Sequence, residues 1–482
     1  MKQFFRVIAA GLCTVVVGTA GAGAEKVLEI SLDNAVQMAL KRNPQVQSAR
    51  LGKQARLAGV SEEEAKFGRT LSATFSHRAN RAPSVSSLEE VTTTSTSTQY
   101  VTLGLGQQLK TGGRLDLTFA QNRSSSNAAF RTIDPVYGAD VELRFIQPLM
   151  RGAGKVNEAS LQIARYELEG ASVDEGGRVR DLRANVQAAY WDLALAHENL
   201  KAQQQLSEGA RRVLETVRAR VEMGTEAQNS ILQAELGVAR LEEDIIVAED
   251  RVRDAGDRLK VLMGMNPDTA WDLRLMPTQA PGVTPFGEDL EVGIERALQQ
   301  NTTYRKTEIG VQTRELQVER ARDLTKPEVN LTLRTGLSGI GTRYSDDLKG
   351  MGDAEGRSWQ GGFSLDIPLG ANSNREQYHQ RRLELEQAEL DRTYQRQQLV
   401  QLVRERFRQV STDRRRAEVA LLAEQLAERS VKEEEDRLAL GLSTVRQVLD
   451  TQDDLAETRV SRVQAVVDYN KALIAWGQVT GQ

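Results

Sequence analysis

The sequence predicts an α+β membrane protein made of two internal repeats, each combining long coiled-coil helices with a set of strands. Three patterns carry this reading. Two halves of the chain match at two fixed offsets, apolar residues keep four-three spacing over long runs, and six short segments alternate apolar with polar residues.

The repeats come first, because a missed repeat misassigns the whole fold. At an offset of 217 residues Arg220 matches Arg437, Gly224 Gly441, Leu232 Leu449, Ala239 Ala456, Ala248 Ala465, Ala255 Ala472 and Gly264 Gly481, with no gap. Upstream the offset is 258: Leu32 matches Leu290, Ala39 Ala297, Leu40 Leu298, Asn43 Asn301, Gly52 Gly310, Gln54 Gln312, Val60 Val318 and Thr74 Thr332. The difference between the offsets, 41 residues, places an insertion in the first copy between Thr74 and Arg220.

Each copy then reads in one order. A first helix (31–66 and 286–324) leads to strands (about 70–149 and about 328–369), a long helix (155–221 and 372–440) and a return helix (226–263 and 443–479), with Ser31 as N-cap of the first. The repeats are thus 25–264 and 286–482, joined by a Pro-rich segment, 265–285.

Coiled-coil character is clearest in the first copy. Leu182, Val186, Ala189, Leu193, Ala196 and Leu200 keep heptad spacing, and the return leg keeps it through Ile231, Ala234, Val238, Leu241, Ile245, Ala248 and Val252. Two such seams joined at Gly224 form an antiparallel hairpin, and the second copy repeats the turn at Gly441 with a looser seam. At 1.5 Å per residue the long helix spans roughly 100 Å and the first and return helices about 55 Å each.

Strand alternation runs through Leu71-Phe75, Val101-Leu105, Leu115-Phe119, Val141-Phe145, Val329-Leu333 and Phe363-Leu369. One apolar and one polar face suits a transmembrane barrel, with lipid outside and water inside. A soluble sandwich strand alternates as well. The connections favour the barrel: "KTGG" (110–113) is a tight turn, whereas 79–98 and 338–357 read as long polar loops. The 41 extra residues fall on the Val101–Phe119 hairpin, so the first copy has four strands and the second two.

Residues 1–24 read as a secretory signal: Lys2 and Arg6 precede an apolar stretch that ends at Ala22-Gly23-Ala24. No other stretch is long and apolar enough for a membrane-spanning helix. The single cysteine, Cys13, lies in the signal, which leaves no thiol for a disulfide or a lipid anchor in the mature chain. With 63 Lys and Arg against 67 Asp and Glu, no nucleic-acid surface is expected. His77, His197 and His379 show no ligand spacing, and no nucleophilic triad, phosphate loop or metal cluster stands out, so neither catalysis nor a cofactor is expected.

The signal, the duplicated helix–strand–long helix–return helix unit, both Gly turns and the endings "LKVLMG" and "IAWGQVTG" together resemble the TolC family of outer-membrane efflux and secretion ducts. The resemblance runs from about residue 30 to 481. It implies a homotrimer in the bacterial outer membrane, its strands pooled into one β-barrel continuous with a periplasmic α-helical barrel. It also implies a periplasmic adaptor and an inner-membrane transporter as partners, in a tripartite efflux or type I secretion system. The family's usual four strands per protomer become six here. Pro267, Pro277, Pro281 and Pro285 fall where the family has its equatorial segment.

By the same resemblance, the adaptor-docking tips map onto Met223, Gly224 and Thr225 and onto Leu440, Gly441, Leu442 and Ser443. The alternative is that both glycines serve only to end helices. The family's acidic constriction rings fall on Gln447, which is not acidic, and Asp450, which would supply three carboxylates around the axis. Asp450 as one more solvated helix charge beside Asp453 and Asp454 is the competing reading. The latch arginine of some members is Ser443 here. A second function of another class, a periplasmic coiled-coil scaffold without channel activity, stays open at this point.

Overall fold

The computed structural model describes residues 26–83, 91–129, 131–224, 227–352, 356–367, 369, 373–440, 442–443 and 445–482. In chain order the elements are β1 (Lys26–Ile30), α1 (Leu32–Arg42), α2 (Pro44–Ala65), β2 (Arg69–Pro83), β3 (Thr93–Gln108), β4 (Arg114–Ser126) and β5 (Val136–Pro148). They continue with α3 (Ala159–Glu222), α4 (Asn229–Leu262), α5 (Pro267–Ala270), β6 (Leu273–Pro277), α6 (Leu290–Gln300) and α7 (Thr302–Leu324). Last come β7 (Glu328–Gly341), α8 (Tyr344–Gly352), β8 (Gly356–Asp366), α9 (Ser373–Ala439) and α10 (Val445–Thr480). The signal and Cys13 lie outside the described residues.

The first helix of each copy, expected as one piece, is two. Asn43 is extended (ψ 125°) between α1 and α2, because the following Pro44 disfavours helical geometry at its predecessor and suits the first position of a new helix. Asn301 adopts the same ψ of 125° without a proline, and its side chain caps α7 by accepting from Tyr304 N–H at 3.1 Å. The Asn43 amide donates to the Leu262 carbonyl at 2.9 Å, and the Asn301 amide donates to the Val479 carbonyl at 3.3 Å. These partners are related by the two sequence offsets, 258 and 217.

Two units are distinguishable. The first contains the chain up to Asn43, Leu182–Phe286 and Gln409–Ala475; the second contains Pro44–Asp181, Gly287–Arg408 and Trp476–Gln482.

In the first unit the heptad pattern is buried along much of α3, although Ala196 is half-buried, and along the later part of α4. Leu182, Val186, Ala189, Leu193 and Leu200 of α3 and Ala248, Val252 and Leu259 of α4 are all buried. Each fully buried Leu or Val contributes about 1.5–3 kcal/mol. Near the tip the same register is only half-buried, as at Leu214, Val217 and Ile231. Ion pairs flank the seam there, Arg211–Glu242 at 2.8 Å and Arg218–Glu235 at 2.7 Å. Both pairs are largely exposed, so each adds about 0–1 kcal/mol.

The Pro-rich segment is more than a linker. It holds α5 and β6, and β6 pairs in parallel with β1 from Lys26↔Leu273 to Ile30↔Pro277. The buried hydroxyl of Tyr190 on α3 ties the pair down, donating to the Ile30 carbonyl at 3.3 Å and accepting from Gln279 N–H at 3.1 Å. Neither strand was expected from the sequence, because five residues are too few to show a period and their pairing spans about 250 positions.

The second unit holds one antiparallel sheet in the order β2-β3-β4-β5-β7-β8. The inserted hairpin β3–β4 is therefore part of the sheet and lies between β2 and β5. The register puts Leu71, Leu105, Leu117, Leu143, Thr335 and Trp359 on one face, and Thr70, Gly106, Asp116, Arg144, Arg334 and Gln360 on the other. At "KTGG" Gly112 (φ 90°) closes the turn by donating to the Leu109 carbonyl at 2.9 Å.

The segments read as long loops are largely ordered. Strands β2 and β3 pair as far as Pro83↔Thr93, and 338–357 contains the end of β7, α8 and the start of β8. Apolar alternation stops before the ladder does, since backbone pairing continues through Thr and Ser residues that are polar on both faces. Among the described residues no helix is long and apolar enough to cross a membrane.

Candidate functional site

The sequence-predicted site residues lie at the ends of the two hairpins, within the first unit. Helix α3 runs out through Met223, whose N–H bonds the Ala219 carbonyl at 3.1 Å, and Gly224, whose N–H bonds the Val221 carbonyl at 2.9 Å. Gly224 has φ 73°, a left-handed conformation that a side chain would strain. On the second hairpin the Leu442 N–H closes back onto the Arg437 carbonyl at 2.8 Å. Thr225 and Gly441 lie outside the described residues.

Both ends expose large apolar side chains. Met223 is 70% exposed, Leu440 75% and Leu442 68%. Single exposed apolar residues are common, and here three fall at the two turns.

Ser443, where some family members carry the latch arginine, has a small hydroxyl that bonds the Glu434 carboxylate across the turn and lies 3.2 Å from Gln447 Oε1. Arg437 reaches the same Glu434 at 3.4 Å. The turn is therefore held by a network between the end of α9 and the start of α10, and the exposed Gln447 belongs to it. Asp450, one helical turn further along α10, is exposed and lies 4.0 Å from Arg446. So loose an exposed pair contributes little.

The structure adds Asp453 to the predicted set. Its carboxyl is pushed above the ordinary aspartate range, chiefly by burial and then by the negative charges of Asp450 and Asp454. Although the residue retains much solvent contact, its carboxyl is crowded by the groove it lines. That groove, about 1020 Å³, runs between the two hairpins and is lined by Leu206, Val213 and Arg240 of the first and by Val431, Asp450 and Asp453 of the second. The sequence signal was present in the i, i+3 spacing of Asp450 and Asp453, which share a helix face. What was missing was the opposing hairpin, which lines the groove with them.

His197 binds the Leu275 carbonyl through Nε2 at 3.0 Å, and burial lowers its pKa. It is a structural group beside β6. No cluster of three metal-binding side chains occurs among the described residues.

The sequence pattern of outer membrane efflux proteins matches residues 123–265 and 293–482, well over half of the chain. The chain belongs to the outer membrane efflux protein family. It is a bacterial outer-membrane channel protein of TolC type with a large periplasmic part, and this sets aside the soluble scaffold. No curated protein matches the chain in sequence. Solved structures share the fold: the Vibrio cholerae outer membrane protein VceC has 16% identity and a TM-score of 0.66, over 93% of this chain and 96% of that one. The Campylobacter jejuni outer membrane channel CmeC has 14% identity and a TM-score of 0.66, over 93% and 85%. The Neisseria gonorrhoeae outer membrane channel MtrE, in its open state, has 15% identity and a TM-score of 0.64, over 93% and 88%.

Proposed function

We propose that this efflux protein is the passive trimeric exit duct of a tripartite efflux or type I secretion system, opened at its hairpin tips by a periplasmic adaptor and an inner-membrane transporter. One observation carries the trimer. The sheet has an apolar face but two unpaired edges, β2 and β8. Open edges cannot stand in lipid, so the sheet must close with other copies. Three six-stranded sheets close a barrel of eighteen strands, and the helices of the three chains then form the periplasmic barrel of the duct. The matched Asn43 and Asn301 bonds support the two-repeat reading of that helical part.

The adaptor docks on Met223, Gly224 and Thr225 and on Leu440, Gly441, Leu442 and Ser443; the exposed Met223, Leu440 and Leu442 support this. In the trimer Asp450 lines the periplasmic constriction beside Gln447, and its negative charge favours cations. The duct binds no cofactor and drives nothing itself, so direction comes from the transporter.

Cysteines introduced at Ser72 on β2 and Ser364 on β8, on the polar face of the two edge strands, test the closure. Oxidation is expected to give a ladder ending at trimer on a non-reducing gel, and a purely monomeric product would refute it. For the constriction, Asp450→Asn is expected to reduce cation selectivity in single-channel recordings; unchanged selectivity would remove Asp450 from the pore.

A further inference from the structure

On the apolar face of the sheet, each strand passes through large apolar residues at the end where β2, β5, β7 and β8 join helical segments and then changes character. Beyond Phe75, β2 continues on this face with His77, Ala79 and Arg81; beyond Phe119, β4 continues with Gln121 and Arg123; and beyond Trp359, β8 reaches Arg357. On β3, β5 and β7 the corresponding residues are Gln99, Ser97, Ala139, Tyr137, Gly339 and Gly341. Every charged strand residue on this far part of the face is thus an arginine, whereas Asp140 and Glu142 point to the opposite face.

The arginines are presented rather than consumed. Among the described residues no carboxylate pairs with Arg81, Arg123 or Arg357. Arg123 is held instead by Tyr137, whose hydroxyl accepts from its Nε at 3.2 Å and whose ring lies 5.9 Å beneath the guanidinium. Trp359, next to Arg357 on the face, is 84% exposed, as an aromatic at a lipid–water boundary would be.

Helix α8 lies on the same face at the same height. It covers Gly339 and Gly341, where no side chain could fit beneath Asp346 and Asp347, and Gln121 donates to the fully buried Asp347 at 3.2 Å. Tyr344 of α8 packs edge-on against Tyr137, with centroids 4.4 Å apart. The helix thereby sets one acid inside the fold and presents Lys349 and the preceding Arg343 outward.

We propose that this basic rim binds the phosphate groups of anionic lipid in the membrane leaflet farther from the helices, anchoring the sheet vertically. The inference rests on the reading that the apolar face meets lipid. The rim lies on that same face beyond its large apolar residues, and its charge complements a phosphorylated headgroup, which arginine holds bidentately.

The test uses the full-length protein reconstituted with bisphosphorylated lipid A or with its phosphate-free form, and compares wild type with Arg81→Gln/Arg123→Gln/Arg357→Gln. Wild type is expected to retain the phosphorylated lipid through detergent washing, and the triple variant about a hundredfold less, given about fivefold for each of the three basic residues. Equal retention by wild type and variant, equal retention of the phosphate-free lipid, or displacement by millimolar inorganic phosphate would overturn the proposal. A triple lysine variant, which keeps the charge but not the bidentate fork, is expected to retain more lipid than the glutamine variant, and retention no better than that also counts against it. Quenching of Trp359 by chain-brominated lipid, read against Trp359→Phe, reports separately on the face. Absent quenching sinks the lipid-facing reading; quenching with unchanged retention sinks only the rim.

Discussion

Removing a single hydroxyl at Tyr190 separates what holds β1 and β6 together from the packing around them. Tyr190→Phe keeps the fully buried ring and its edge-on contact with Trp191, centroids 5.4 Å apart, and deletes two hydrogen bonds. The Ile30 carbonyl is not orphaned, because it still accepts from Thr278 N–H at 3.1 Å and from the Thr278 hydroxyl at 3.3 Å. The Gln279 N–H loses the Tyr190 oxygen, but Gln279 is exposed and water can replace it. The cost is therefore that of an ordinary hydrogen bond, about 1 kcal/mol, rather than the several kcal/mol of a buried unpaired group. Tyr190→Ala, which also empties a core site, is expected to cost about 3–5 kcal/mol. Hydrogen–deuterium exchange of the peptide spanning 273–279 is the assay, and Tyr190→Phe should speed exchange about fivefold. No change in Tyr190→Phe, or a loss as large as in Tyr190→Ala, would refute the assignment of the hydroxyl as a modest clamp.

Three further outcomes follow from the first unit. Leu193→Ala, at a fully buried heptad position, is expected to destabilise the hairpin by about 2–5 kcal/mol, seen as a lower denaturation midpoint, whereas the exposed Leu232→Ala should be near neutral. His197 has a pKa below the ordinary histidine value of 6.5, so the unfolded chain binds more protons; stability is intact above that pH and falls as pH drops below it. His197→Gln should flatten this acid loss in pH-dependent melting. Asp453 is expected to neutralise above the ordinary aspartate value of 3.8 in pH-dependent channel conductance, and Asp450→Asn should lower that midpoint by removing the neighbouring charge. A midpoint that stays in place would show that the two carboxylates do not interact.

Much of the architecture was legible because it is periodic. Heptads and strand alternation are local statements about which side of an element is apolar, and the seam residues Leu182, Val186, Ala189, Leu193 and Leu200 are buried as that rule requires. The family, too, could be recognised from the order of such elements. The break at Asn43 was missed because Pro44 at a first helical position leaves the apolar period unbroken across it. Helix α8 was missed because its polar composition reads as loop, and only Gly339 and Gly341 beneath it make room for a helix there.

By itself the sequence determined the apolar faces of the long helices and strands, the turn of the first hairpin at Gly224, and hence the family. Tertiary structure alone decided the parallel pairing of β1 with β6, the inclusion of the inserted hairpin in the sheet, and the perturbed carboxyl of Asp453. The reason is physical: pairing between distant segments and removal of water from a charge depend on what is brought opposite a residue. No window of neighbouring amino acids contains that information.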